Sequence, residues 1–133
     1  MKANITEYLR INLDTEMWEC RQCNNELVSA RDNYKRGLLV YDRDPSEIHK
    51  PLLSQELYSY SFAPDPAYTA MLEFYCPHCG TMIEVEYTVP GHPPVRDIEL
   101  DIDDLKKKVA IWGDVPERPE IPDTELKRHV HNH

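Results

Sequence analysis

The most regular alternation of hydrophobic and polar residues runs from Thr81 to Val89. Its odd-numbered positions are mostly hydrophobic, whereas its even-numbered positions include Glu84 and Glu86. A period of two is typical of a half-buried β-strand, because successive side chains point to opposite faces of a sheet. The pattern therefore predicts a strand with an acidic outer face.

Weaker patterns predict a mainly β protein with a short C-terminal helix. Residues 4–13 carry four alternating apolar positions and predict one strand near the N-terminus. Short apolar runs predict further strands at residues 27–30, 38–41 and 71–75. Helical turns are predicted at residues 32–37 and 46–49, where capping and breaking residues bound short segments.

The C-terminal helix is predicted from Asp101 to Val109. Asp101 can cap its first turn, and Ile102, Leu105 and Val109 fall on one face. The run Lys106–Lys108 lies towards the C-terminal end, where positive charge favours the helix dipole. The helix can therefore dock through a single apolar face.

Residues 55–62 place Tyr58, Tyr60 and Phe62 on one side of an extended segment. Two interpretations are open. These rings form a strand face that covers a thin core, or they form a docking patch, since aromatic residues are enriched in the cores of protein interfaces.

The four cysteines form two pairs of equal spacing, Cys20 with Cys23 and Cys76 with Cys79. A structural Zn²⁺ takes four ligands at the corners of a tetrahedron, with sulfur at ~2.3 Å. Each Cys-x-x-Cys turn supplies two neighbouring corners. The sequence predicts that the four cysteines share one structural zinc between a hairpin tip and an opposing turn, which is the layout of a zinc ribbon.

Other uses of these cysteines fit less well. A secreted protein with disulfides is not expected, because we find no apolar stretch preceded by basic residues. A thioredoxin-like redox site would use one pair and leave the other idle. An iron site of the rubredoxin type uses the same four sulfurs and remains an alternative.

The chain after Gly113 is rich in proline and acidic residues. Its prolines recur every three residues from Pro116 to Pro122, which favours polyproline II, and three alternating histidines end it as a solvated tail. We therefore expect a zinc-ribbon-like domain at residues 1–112 and a proline-rich acidic arm at residues 113–133.

Composition and charge narrow the possible partners. The chain has 133 residues, is 41% hydrophobic and contains 11 prolines, which suits one domain with a thin core that depends on its metal. Because 24 acidic residues face 15 basic ones, giving a net charge of −9, we expect no nucleic-acid partner. No run approaches the ~20 apolar residues of a membrane span, so we expect no membrane partner. A small acidic domain with a thin core can complete its burial against a larger protein, which is the expected partner.

No catalytic constellation is visible. The chain has four glycines and no phosphate-binding glycine loop, and a zinc ion bound by four sulfurs has no open position for substrate. We therefore predict no catalytic or cofactor-binding residue on this chain.

Several short motifs follow one another along the chain: Trp18 with Cys20 and Cys23, Asn33-Tyr34-Lys35, Arg43-Asp44-Pro45, the run Phe74–Glu86 and the run Pro90–Asp97. In this order they resemble the small gamma subunit of the acetone carboxylase family, and most closely the acetophenone carboxylase type. The match covers residues 5–108 and excludes the tail. One departure is Asn24, which stands where a glycine is expected after the first cysteine pair.

The resemblance implies an accessory subunit of a cytoplasmic, biotin-independent ketone carboxylase. In such enzymes, large hydantoinase-like subunits use ATP and bicarbonate to convert a ketone to a 3-oxo acid, as in acetophenone to benzoylacetate. The small subunit would support these partners in a hetero-oligomer, with zinc holding its fold. Outside the family, a rubredoxin-like electron carrier and a zinc-ribbon protein-interaction module are the alternatives.

Overall fold

Two antiparallel sheets form the framework of the computed structural model, which describes residues 1–54 and 56–113. The first sheet contains four strands in sequence order: β1 (Lys2–Asn4), β2 (Leu9–Asn12), β3 (Met17–Cys20) and β4 (Glu26–Ser29). The second contains three: β5 (Leu39–Arg43), β6 (Ala70–Tyr75) and β7 (Met82–Thr88). This confirms the prediction of a mainly β, zinc-ribbon-like protein.

Three short helical segments complete the described chain. A 3₁₀ helix spans Tyr34–Gly37 and is capped by the Asn33 side chain, which accepts a hydrogen bond from the Lys35 amide. Helix α1 (Pro45–Ile48) follows β5, and helix α2 (Ile102–Trp112) follows the second sheet. No helix in the described part of the chain has the length and apolarity needed to cross a bilayer.

The predicted single strand at residues 4–13 is wrong. Strands β1 and β2 form a hairpin instead, because the amides of Ile5 and Thr6 both donate to the carbonyl oxygen of Leu9. The Thr6 hydroxyl accepts from the Leu9 amide in return. The hydrophobic pattern continues through this turn, so periodicity alone did not reveal it.

The main hydrophobic cluster draws on both sheets and on α2. Trp18 and Tyr34 are its largest buried side chains, and their rings meet edge to face with centroids 5.6 Å apart. Cys20, Cys76 and Ile102 belong to the same buried cluster. The predicted apolar face of α2 therefore packs into the core that also surrounds the cysteines.

Helix α2 is three residues longer than predicted. Asp101 caps it as expected, through a hydrogen bond from the Asp104 amide, but the helix continues to Trp112 and ends at Gly113, whose φ of 71° is left-handed. The lysines at 106–108 consequently lie in the middle of the helix. The expectation that they interact with the C-terminal end of the dipole is wrong.

Residues 56–62 do not form a strand, and residue 55, where the predicted segment begins, lies outside the described residues. The Tyr58 amide donates to the Ser54 carbonyl oxygen, which bends the backbone, and Phe62 is 88% exposed. The rings of Tyr58, Tyr60 and Phe62 contact one another rather than the core. The interpretation of these residues as a core face is therefore wrong, and their role in docking stays a prediction.

Strand β7 is present where its alternation predicted it, but its acidic outer face is not. Glu86 lies opposite Leu72 in the sheet and its carboxylate accepts a hydrogen bond from the ammonium of Lys35, which is buried. The alternating pattern predicts an exposed glutamate because the local sequence does not show its distant partner.

The expected arm at residues 113–133 lies, apart from Gly113, outside the described residues, and the domain boundary stays a prediction.

Candidate metal centre

The two cysteine pairs occupy the tips of two hairpins. The turn from Cys20 to Cys23 joins β3 to β4, and the turn from Cys76 to Cys79 joins β6 to β7. The tips face each other, so that all four sulfur atoms lie within 4.8 Å of one another. The structure thus brings together four residues that the sequence places at two separate positions.

The sulfur spacing matches that of a closed tetrahedral site. The Sγ atoms of Cys20 and Cys79 are 3.8 Å apart, and those of Cys23 and Cys76 are 3.7 Å apart. Four ligands at ~2.3 Å from a central ion define a tetrahedron with edges of ~3.8 Å. A disulfide would instead require ~2.0 Å, so the cluster has the dimensions of a metal site.

Backbone amides converge on the sulfurs in the same way in both turns. The Cys20 sulfur accepts from the amides of Gln22 and Cys23, and the Cys76 sulfur accepts from those of His78 and Cys79. Such donors stabilise negative charge on sulfur. In each turn these hydrogen bonds therefore offset part of the cost of burying a thiolate.

The sulfur of the second cysteine also has equivalent hydrogen-bond partners in the two turns. The residue two positions further on, Asn25 or Thr81, supplies both a backbone and a side-chain hydrogen bond to the sulfur of Cys23 or Cys79 respectively. The side-chain distances are 3.4 Å for Asn25 and 3.1 Å for Thr81.

The main-chain path of the two turns is equivalent as well. The Asn24 amide donates to the Cys20 carbonyl oxygen at 2.8 Å, and the Gly80 amide to that of Cys76 at 2.9 Å. Asn24 has a φ of 65° and Gly80 a φ of 76°. The glycine expected after the first pair is thus replaced by asparagine, the type that tolerates the left-handed region best after glycine.

Burial divides the four thiols into two classes. It raises the pKa of Cys20 to about 12 and also raises the pKa of Cys76. The hydrogen bond with Thr81 lowers the pKa of Cys79 to about 6, and that from Asn25 lowers the pKa of Cys23. Deprotonation of the two buried thiols therefore needs a nearby cation, which a metal ion at the centre supplies.

The Trp18 side chain packs in the core beside the first cysteine turn. Its indole is fully buried, donates to the Asp32 carbonyl oxygen at 3.2 Å and shares the core cluster with Cys20. Because the ring is 1% exposed, it packs inside the protein and cannot stack on a base.

Lys35 has a structural role that local patterns did not reveal. Its ammonium donates to the Val95 carbonyl oxygen at 2.8 Å and to Glu86 at 3.3 Å, and it lies 5.1 Å from the centre of the Phe74 ring. The Tyr34 hydroxyl binds the nearby Asp97 carboxylate. These contacts tie the segment that leaves β7 to the 3₁₀ helix and so to the first sheet.

Among the described residues, the four cysteines are the only group of three or more potential ligands close enough to hold a metal ion. His129, His131 and His133 lie outside that part of the chain. Four protein ligands would saturate a tetrahedral ion, so the centre can brace the two hairpins but offers substrate no coordination position.

Comparisons with known proteins point to one family. The family model described as acetone carboxylase gamma subunit matches residues 3–110. The acetophenone carboxylase beta subunit of Aromatoleum aromaticum is 50% identical over 108 residues, 81% of each chain. The acetone carboxylase gamma subunit of Xanthobacter autotrophicus is 30% identical over 105 residues, 78% of this chain and 59% of that relative.

Proposed function

Because the chain belongs to the acetone carboxylase gamma subunit family, we propose that it is a zinc-braced accessory subunit of an ATP-dependent ketone carboxylase. The higher identity to the acetophenone enzyme subunit, 50% against 30%, favours an aromatic ketone as the substrate of the assembled enzyme. The proposed net reaction joins acetophenone and bicarbonate at the expense of ATP and yields benzoylacetate. Acetone carboxylation is the alternative within the family.

The observation that carries this proposal is the closed four-sulfur centre. Cys20, Cys23, Cys76 and Cys79 supply a complete tetrahedron whose edges fit zinc, and two of the four lie in the core. Such an ion would hold the two sheets together and leave no position for chemistry. A braced scaffold without a reactive centre is what an accessory subunit requires.

The proposed partners are large, hydantoinase-like carboxylase subunits in a cytoplasmic hetero-oligomer. They would bind ATP, bicarbonate and the ketone, whereas this chain would contribute no catalytic or cofactor-binding residue. The net charge of −9 supports a protein partner over nucleic acid, because binding to phosphates requires a basic surface.

Co-expression with the large subunits of the same organism tests the proposal. We expect the chain to elute with them at fixed stoichiometry and ketone- and bicarbonate-dependent ATP hydrolysis to require all subunits. Elution of the chain alone at its monomer size, with full activity in the remaining subunits, would refute an accessory role.

Metal analysis of the same assembly tests the identity of the ion. We expect one zinc per chain and no visible absorption. Stoichiometric iron with thiolate-to-iron absorption would instead support the rubredoxin-like alternative, because the same four sulfurs also bind iron.

A further inference from the structure

Strand β5 is an exposed edge of the second sheet. The strand order is β5-β6-β7, so β5 pairs with β6 on one side and with no strand of the described chain on the other. Three consecutive apolar residues in it, Leu39, Val40 and Tyr41, are 60%, 56% and 49% exposed. Both faces of this edge are therefore open to solvent.

The first three residues of β5, Leu39–Tyr41, carry none of the usual protection, although the charged Asp42 and Arg43 follow them. Natural edge strands avoid pairing with other chains by means of lysine, proline, bulges or short length. β5 has the sequence Leu-Val-Tyr-Asp-Arg and pairs with β6 over all five residues without a register shift. A regular apolar edge of this kind is a template for an added strand.

A groove beside β5 offers space for the side chains of such a strand. It has a volume of about 520 Å³, and Leu39, Tyr41, Tyr75 and Pro77 are among its lining residues. Cross-strand pairing places Leu39 directly opposite Tyr75 on one face. One wall is formed by the second cysteine turn, so the groove is continuous with the proposed metal centre.

Arg43 also lines this groove, and its charge is already neutralised. The Arg43 guanidinium binds the carboxylates of Glu73 and Glu47, each at 2.7 Å. The Glu73 carboxylate is buried and also accepts from the Tyr75 hydroxyl at 2.8 Å. An occupant therefore needs apolar side chains rather than a charge to match this part of the surface.

We propose that β5 accepts an extended, apolar segment of a large carboxylase subunit as an added strand of the second sheet. This proposal rests on the accessory-subunit function above and names the surface through which it acts. At the C-terminal end of β5, Asp42 is exposed and the exposed Asp44 follows it closely, so the segment bears a basic residue at the end that lies there.

Two other occupants fit the same surface less well. The chain's own tail has prolines at positions 116, 119 and 122, each of which lacks the amide that a ladder requires. A second copy of the chain brings the same net charge of −9, including the acids beside β5. An apolar, proline-free segment with a basic end, as proposed for the large subunit, carries neither penalty.

Lysine substitutions at the edge test the proposal in the co-expressed complex. We expect Leu39→Lys and Tyr41→Lys each to weaken binding of the large subunits by about tenfold or more, because a lysine on the edge opposes strand pairing. The matched control is Leu52→Lys, which removes an apolar side chain that is 96% exposed but lies outside the sheet. This control should bind as the unaltered chain does.

The outcomes separate the two proposals. If the unaltered chain does not elute with the large subunits, the accessory function itself is wrong. If the unaltered chain and both lysine variants bind equally well, or if Leu52→Lys is as harmful as they are, the function stands and the docking surface is refuted.

Amide hydrogen exchange on the unaltered full chain avoids any folding defect of the variants. We expect outward-facing amides of residues 39–43 to exchange roughly a hundredfold more slowly in the complex than in the free chain. Slow exchange already in the free chain at low concentration would show that the tail covers the edge. Slow exchange that depends on chain concentration would show a second copy, and either result would overturn the proposal.

Discussion

The two cysteine turns share one backbone geometry but are held in different ways. In the first turn, Asn24 occupies the left-handed position, and its side-chain oxygen accepts a hydrogen bond from Arg10 of the neighbouring strand. In the second, Gly80 occupies that position, and a Cβ built there would meet no atom within 4 Å. The arrangement around sulfur is therefore reached once through an anchored side chain and once through the freedom of glycine.

A buried glutamate supports each hairpin, again with different partners. Glu19 on β3 accepts from Arg10 at 2.7 Å, Lys2 at 3.0 Å and Asn12 at 3.4 Å. Glu73 on β6 has Arg43 as its cation and the Tyr75 hydroxyl as a second donor. The first hairpin has redundant support, whereas the second depends on fewer contacts, and the comparison predicts which hairpin fails first.

The largest effect is expected from loss of a buried ligand. Cys76→Ser should remove stoichiometric metal and unfold the junction of the sheets, because structural zinc contributes an apparent ~10–16 kcal/mol to small domains, as much as a typical total stability of ~5–15 kcal/mol. Cys79→Ser should keep a weakened site, since water can reach that exposed position. Metal content and thermal unfolding measure both; full metal and normal assembly in Cys76→Ser would contradict zinc as the brace.

The next effect concerns the two arginines. Arg10→Met should cost about 2 kcal/mol of unfolding free energy, because it leaves the buried Glu19 carboxylate with fewer donors. Arg43→Met should lower the urea midpoint further, because Glu73 then loses its cation and keeps the hydrogen bond from the Tyr75 hydroxyl. The double variants Arg10→Met with Glu19→Gln and Arg43→Met with Glu73→Gln are controls that should recover part of each loss. A larger effect at Arg10 than at Arg43 would reverse the comparison.

The left-handed positions give a smaller effect. Gly80→Ala should destabilise by about 1 kcal/mol, because alanine is strained at a φ of 76° although space is open. Gly80→Asn should cost less, and Asn24→Gly should change stability by only a few tenths of a kcal/mol. Urea unfolding of the metal-loaded chain measures these differences, and a severe defect in Asn24→Gly would show that the Arg10 contact, not the backbone, dominates the first turn.

The smallest effect is a dependence on pH through Glu73. Burial alone would raise the pKa of this carboxyl, but the hydrogen bonds from Arg43 and Tyr75 lower it below its ordinary value of 4.5. A lowered pKa in the folded state contributes stability that is present above pH 4.5 and is lost as the pH falls through the folded pKa. Between about pH 5 and pH 3, Glu73→Gln should therefore lose stability less steeply than the unaltered chain; parallel slopes would refute this contribution.

The grouping of the four cysteines was the most predictable feature of the molecule. Ligand type and spacing are local properties, so Cys76 and Cys79 could be placed at a hairpin tip from the alternation that follows them. The apolar face of α2 and the family resemblance were predicted for the same reason, because each depends on short contiguous motifs.

Features that depend on distant contacts were not predictable. Lys35 looks like an exposed lysine in a helical turn, yet its ammonium is buried by Glu86 and Val95, which follow it by 51 and 60 residues. The turn between β1 and β2 depends on the side chain of Thr6 rather than on a glycine or proline signal. The exposure of Phe62 likewise follows from a backbone bend that its alternating neighbours concealed.

The division of the centre between two hairpins also has a consequence during synthesis on the ribosome. Cys79 is added 56 residues after Cys23, since 79 − 23 = 56, and at ~5–20 residues per second this takes roughly 3–11 s. During that interval the nascent polypeptide contains the thiols of Cys20 and Cys23 but not yet the complete second cysteine pair. The proposed metal site can close only when the second hairpin has left the exit tunnel, so we expect both the rate of translation and the supply of free metal to affect the yield of folded protein.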